Sequence, residues 1–76
     1  MKSNYRQEYK ILLQALVAAR HASAMTQKQL AVKLTKPQSF VSKFENGERR
    51  IDVIELIEIA RALDVDYKKI LRTVVR

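Results

Sequence analysis

Apolar residues recur along the chain at intervals of three and four, the spacing that places side chains on one face of an α-helix. Tyr9, Leu12, Leu13, Leu16 and Val17 form the first such stripe and predict a helix over about residues 6–22. Thr26 stands three residues before Gln29, the spacing at which hydroxyl and amide each cap a backbone N–H at a helix start. A second helix therefore begins at Gln27 and buries Leu30, Ala31 and Leu34. Pro37 fits the start of a third helix, where its missing N–H costs nothing. That helix runs to about Glu45 and stops at Asn46-Gly47, a left-handed helix end. Asp52 and Glu55 repeat the capping-box spacing and open a fourth helix with the stripe Val53, Leu56, Ile57, Ala60 and Leu63. Asp66 caps a last helix whose Ile70, Leu71 and Val74 face inward. Val74 and Val75 are adjacent and diverge by about 100°, so only one of them packs inward. Such short helices do not persist alone, and the expected fold is all-α, five helices around a shared core. A single Gly and a single Pro in 76 residues argue against a strand-and-turn protein.

Composition sharpens this picture. At 76 residues the expectation is a single domain spanning 1–76, leaving no room for an attached effector-sensing unit. The chain has no Cys and one His, His21, expected at the surface, so neither disulfides nor a metal site are expected. Its longest apolar run, Ala15–Ala19, is far short of a bilayer span. Lys2 is not followed by an apolar stretch of signal-peptide length. A cytoplasmic protein is expected. The charge is also unevenly distributed. Residues 1–50 hold ten Lys/Arg against three Glu, whereas residues 51–76 hold five of each sign, so the whole net charge of +7 resides in the first two-thirds.

The second and third helices with their short connection make a helix-turn-helix at residues 27–46. On a wheel of the third helix, Val41, Phe44 and Pro37 group on one side, with Phe40 beside them. Gln38, Ser39, Ser42 and Lys43 lie opposite, a face of hydrogen-bond donors and acceptors without a carboxylate. Such a face suits base edges and phosphates: Gln pairs with adenine through two atoms, and Lys reaches guanine acceptors. Ala31 is small where the two helices cross closely. Arg49 and Arg50 follow on an exposed loop and, with Lys36 in the turn, are expected to anchor phosphates. Asn46 suits both a phosphate contact and the helix end. Lys28 and Lys33 are expected to be solvated, and Tyr5, Tyr9 and Tyr67 to lie at core edges or partner surfaces.

Over about residues 9–71 the sequence resembles the lambda-repressor-like class of phage repressors and Cro, the XRE family. The likeness is carried by Thr26-Gln27, the Gln38-Ser39-x-Val41-Ser42-Lys43 segment, Glu45-Asn46-Gly47 and Ala62-Leu63. The resemblance implies a five-helix bundle in which Gln27 contacts a phosphate, and it implies a pair between Arg20 and Glu45. Two departures concern glycine: Thr35 stands at the turn and Asp64 after the fourth helix, where the family often has Gly. A left-handed backbone costs Thr about 1–2 kcal/mol, so Thr35 is expected to be extended or helical, whereas Asp tolerates the conformation better. Pro37 also replaces the usual Ser/Thr cap of the third helix.

No nucleophile pattern, phosphate-cradling glycine loop or paired-acid site exists, so an enzyme is not expected and no cofactor is implied. The reading is a sequence-specific regulator that binds double-stranded DNA through a major-groove helix, as a homodimer on a two-fold symmetric site. The near-neutral last third would supply the dimer surface. An alternative is an antitoxin-type protein that binds a partner protein and also uses this fold on DNA. A third, non-specific RNA or nucleoid binding, predicts little discrimination between sequences.

Overall fold

The structure, a computed structural model, describes residues 2–75, with side chains from Arg6 onward. Five helices follow in order: α1 (Lys2–Ala22), α2 (Gln27–Leu34), α3 (Gln38–Glu45), α4 (Val53–Ala62) and α5 (Tyr67–Val74). The first helix begins four residues before the apolar stripe suggests, which extends it by about one turn. The side chain of Tyr5 lies outside the described residues.

The two capping boxes form as their spacing requires. Thr26 Oγ1 accepts from Gln29 N–H at 3.0 Å while Gln29 Oε1 accepts from Thr26 N–H at 2.9 Å. Asp52 and Glu55 do the same at 2.7 and 3.0 Å. Asp66 accepts from Lys68 N–H at 2.9 Å and starts α5. Pro37 sits at the N-cap of α3 with no side-chain hydrogen bond.

Helices α1 to α4 all end in the same reversal. Its defining bonds run from the N–H of Met25, Lys36, Glu48 and Val65 to the carbonyls of Arg20, Ala31, Lys43 and Ala60. Each needs a residue at positive φ one position earlier: Ala24, Thr35, Gly47 and Asp64, at 55°, 57°, 80° and 58°. Only one of the four is glycine. Thr35 is therefore left-handed, not extended or helical as its side chain suggests. The reason lies in the next two residues. Lys36 precedes Pro37 and is pushed toward extended backbone, so the reversal between α2 and α3 falls on Thr35. Its N–H donates to Val32 O at 3.1 Å, and Lys36 N–H to Ala31 O at 3.0 Å, recovering two carbonyls against the strain.

The core takes residues from every helix: Leu13, Leu16, Leu30, Ala31, Phe40, Val41, Phe44, Leu56, Ile59 and Ile70 are all buried. Tyr9, Leu12, Leu34 and Leu71 pack at its edge. Two stripe assignments change. Val53 is 62% exposed, because the first residue of α4 lies ahead of the turn that meets the core; Ile59 takes its place. Pro37 is exposed, since the capping position precedes the turn of α3 that carries Phe40 and Val41 inward. Val75 is 70% exposed whereas Val74 is half-buried, the divergence expected of adjacent valines. Among the described residues no helix is long and apolar enough to cross a membrane.

Candidate nucleic-acid interface

Helix α3 is held from behind by Phe40, Val41 and Phe44. The two rings meet at 5.6 Å between centroids, tilted by 59°, an edge-biased geometry that aromatic pairs favour. With that side fixed, Gln38, Ser39 and Lys43 are exposed on the other and Ser42 is half-buried. Ser42 Oγ donates to Ser39 O at 3.3 Å. The donor-rich, carboxylate-free face therefore lies on one side of a rigid helix.

Glu45 is the one acid on α3; α1 neutralises it and α2 adds a hydrogen bond. Arg20 of α1 donates through Nε to Oε2 at 2.7 Å and through Nη2 to Oε1 at 3.0 Å. Its third nitrogen, Nη1, donates to Met25 O at 2.9 Å. The hydrogen bond to Glu45 raises the Arg20 pKa above its ordinary value, against the opposing effect of burial. Gln27 completes the knot: its amide donates to Glu45 Oε1 at 2.9 Å. Gln27, expected to contact a phosphate, is thus fixed at the start of α2 by a bond to Glu45. Exposed His21 lies beside the knot, with Nε2 3.3 Å from Arg20 Nη2.

The loop after α3 carries its cations on aromatic supports. The Arg49 guanidinium lies 4.7 Å from the Phe40 ring centroid, and the Lys36 amine 5.5 Å from the same ring. Arg50 stacks over Tyr9 at 4.6 Å, and the Tyr9 hydroxyl accepts from Ile51 N–H at 3.2 Å. Arg49 further donates to both carboxylate oxygens of Glu55 at 2.9 Å, and to Arg50 O at 2.8 Å. The Arg49 guanidinium holds the Glu55 carboxyl below the usual carboxylate range, helped by the Asp52 N–H. Asn46 caps α3 and donates through Nδ2 to Glu48 at 3.3 Å.

Gln27, Lys36, Gln38, Ser39, Ser42, Lys43, Asn46, Arg49 and Arg50 are thus distributed over α2, α3 and the segments that flank α3. A helix-turn-helix family profile matches residues 16–70. The chain belongs to the XRE family of helix-turn-helix proteins. Members of this family are transcriptional regulators and not enzymes. An XRE-family like protein from Pseudomonas syringae pv. tomato is 45% identical, with a TM-score of 0.92 over 96% of this chain and 89% of that one. The restriction-modification controller protein C.AhdI from Aeromonas hydrophila is 25% identical, with a TM-score of 0.76 over 84% and 97% of the two chains. An uncharacterized HTH-type transcriptional regulator, y4dL of Sinorhizobium fredii, is 36% identical over 62 residues. That match takes in 82% of this chain but 31% of the longer relative.

Two features of this XRE-family surface escape sequence reasoning. Glu55 reads as a cap residue, and nothing in its spacing announces that it also grips Arg49. A cleft of about 780 Å³ opens between α1 and the end of α3, with Arg6 and Lys10 at its edge. Their i, i+4 spacing with each other and with Gln14 is visible in the sequence, but the segment across from them is not.

Proposed function

We propose that this protein is a sequence-specific regulator that binds double-stranded DNA with α3 in the major groove. The observation that carries the reading is the two-sided build of α3: one side immobilised by two buried phenylalanines and a valine, the other exposing Gln38, Ser39 and Lys43. Pairing with Arg20 neutralises Glu45, the one charge on this helix that would repel a polyanion, and Gln27 adds a hydrogen bond to it. Gln38, Ser39, Ser42 and Lys43 read bases, while Gln27, Lys36, Asn46, Arg49 and Arg50 hold the backbone. The protein acts in the cytoplasm as a homodimer on a two-fold symmetric site, since one small module buries too little DNA for useful specificity. Helix α5 supplies the dimer surface: exposed Val75 and half-buried Leu71 lie together between Lys68 and Arg72.

Selection of binding sites from random duplex DNA tests this directly. An enriched motif with dyad symmetry is the expected result, and absence of any enriched motif would remove the sequence-specific reading. On that site, Gln38→Ala or Lys43→Ala should relax preference at one or two base positions by about 1–3 kcal/mol. Equal weakening on all sequences would instead place the residue on a phosphate.

A further inference from the structure

Of the cleft beside α3, the reading above uses only Asn46 and Arg50; its α1 bank has no part in it. One bank is α1, where Arg6, Lys10 and Gln14 repeat at intervals of four and so form a single line of donors. At 1.5 Å per residue that line is about 12 Å long. The other bank is the segment that leaves α3, with Asn46 and Arg50 facing the same space. Leu13 and Val17 form the floor between them.

The charge on the two banks is unbalanced. The two ion pairs among the described residues are Arg20–Glu45 and Arg49–Glu55, so none of Arg6, Lys10 and Arg50 is paired with a described carboxylate. Glu45 is the one acid lining the cleft, and its oxygens are occupied by Arg20 and Gln27. Glu8 and Glu48 lie outside the lining. Three cations and two amide side chains thus edge a space whose acid is already neutralised. The Arg50–Tyr9 stack and the Ile51–Tyr9 hydrogen bond tie the two banks together, so the cleft keeps its width.

We infer that this cleft is a second backbone clamp, which grips the sugar–phosphate strand flanking the bases read by α3. Arg6 and Lys10 hold it from one side, Arg50 and Asn46 from the other. The inference rests on the DNA-binding reading, because Asn46 and Arg50 belong to the segment that continues directly from the recognition helix. That continuity favours nucleic acid over an acidic protein segment as the occupant. The cleft extends the footprint of each subunit beyond the helix-turn-helix. It adds affinity without adding sequence preference, since phosphates carry no base identity.

The test uses the full chain and the duplex enriched from the random pool, titrated by fluorescence anisotropy across a potassium chloride series. Removing one cation from a phosphate lowers the salt slope by about 0.9, so Arg6→Ala with Lys10→Ala should lower it by about 1.8 per subunit. Affinity at about 0.1 M salt should fall by on the order of tenfold, equally on specific and non-specific duplexes. The double variant Lys33→Ala with Arg61→Ala removes the same charge from exposed positions outside the cleft and should leave the slope at its wild-type value. Equal falls in both double variants would reduce the effect to net charge and overturn the clamp. An unchanged slope for Arg6→Ala with Lys10→Ala would overturn it too, and competition by polyglutamate would then assign the cleft to an acidic protein. Wild-type protein that binds no duplex at all, selected or random, would instead overturn the DNA-binding reading itself.

Discussion

Two arginine–glutamate pairs hold α3 and the segment that follows it, alike in chemistry and unlike in surroundings. Arg20 grips Glu45 with Nε and Nη2, and Arg49 grips Glu55 with Nη1 and Nη2, in each case through two parallel bonds. The inner pair leaves 10% and 5% of its side chains exposed; the outer pair leaves 43% and 15%. Where the side chains are largely covered, removing one partner strands a charge that water reaches poorly. At the surface, water and salt replace a missing partner at little cost. The same bond geometry therefore gives a structural tie between α1 and α3 in one place. In the other it gives an oriented cation that still faces solvent, with a ring of Phe40 beneath it.

The largest effect that would break this contrast comes from the inner pair. Arg20→Ala leaves the half-buried Glu45 with only Gln27 as partner and should cost up to roughly 3–5 kcal/mol of stability, read by urea unfolding. Replacing both, Arg20→Met with Glu45→Leu, should restore most of that loss, because an apolar pair of similar volume carries no desolvation penalty. If the double variant were as unstable as the single one, the packing of the Arg20 stem, and not the charge, would be what matters.

Arg49→Ala should leave the unfolding midpoint near that of wild type yet weaken every duplex, lowering the salt slope by about 0.9 per subunit. A large loss of stability in this variant would erase the distinction between the two pairs. The smallest effect is in the pH dependence. Arg49 holds the folded Glu55 carboxyl below its ordinary range. Its contribution to stability is therefore complete above the unfolded carboxylate value, and it is lost as the pH falls through the lowered folded value. Glu55→Gln should remove that small acid-side component from the urea midpoint. Acid-side behaviour identical to wild type would show that other carboxylates account for the whole slope.

Much of the architecture was legible because its signals are local. The Thr26–Gln29 and Asp52–Glu55 boxes fix two helix starts through bonds spanning three residues, and the structure makes all four of them. The α3 wheel separated Val41 and Phe44 from Gln38, Ser39 and Lys43 because helical periodicity alone sets those directions. The implied Arg20–Glu45 pair is present, although the two residues lie 25 positions apart. Thr35 departs from its side-chain preference because Pro37 imposes extended backbone on Lys36 and leaves the reversal to Thr35. Val53 misled because periodicity extends a stripe to the first residue of a helix whether or not another element covers it.

The sequence by itself determined five amphipathic helices, the N-caps of α2, α4 and α5, the family and the division of charge along the chain. These follow from periodicity, capping chemistry and composition, which act over a few residues or over none. Only the tertiary structure decided that Gln27 is bound to Glu45, that Glu55 orients Arg49, that Tyr9 supports Arg50, and that Arg6 and Lys10 face Asn46 across a cleft. Each of these joins residues from different elements. Their separation in space depends on how the helices cross, and that crossing is set by the shared core around Leu16, Leu30 and Phe44.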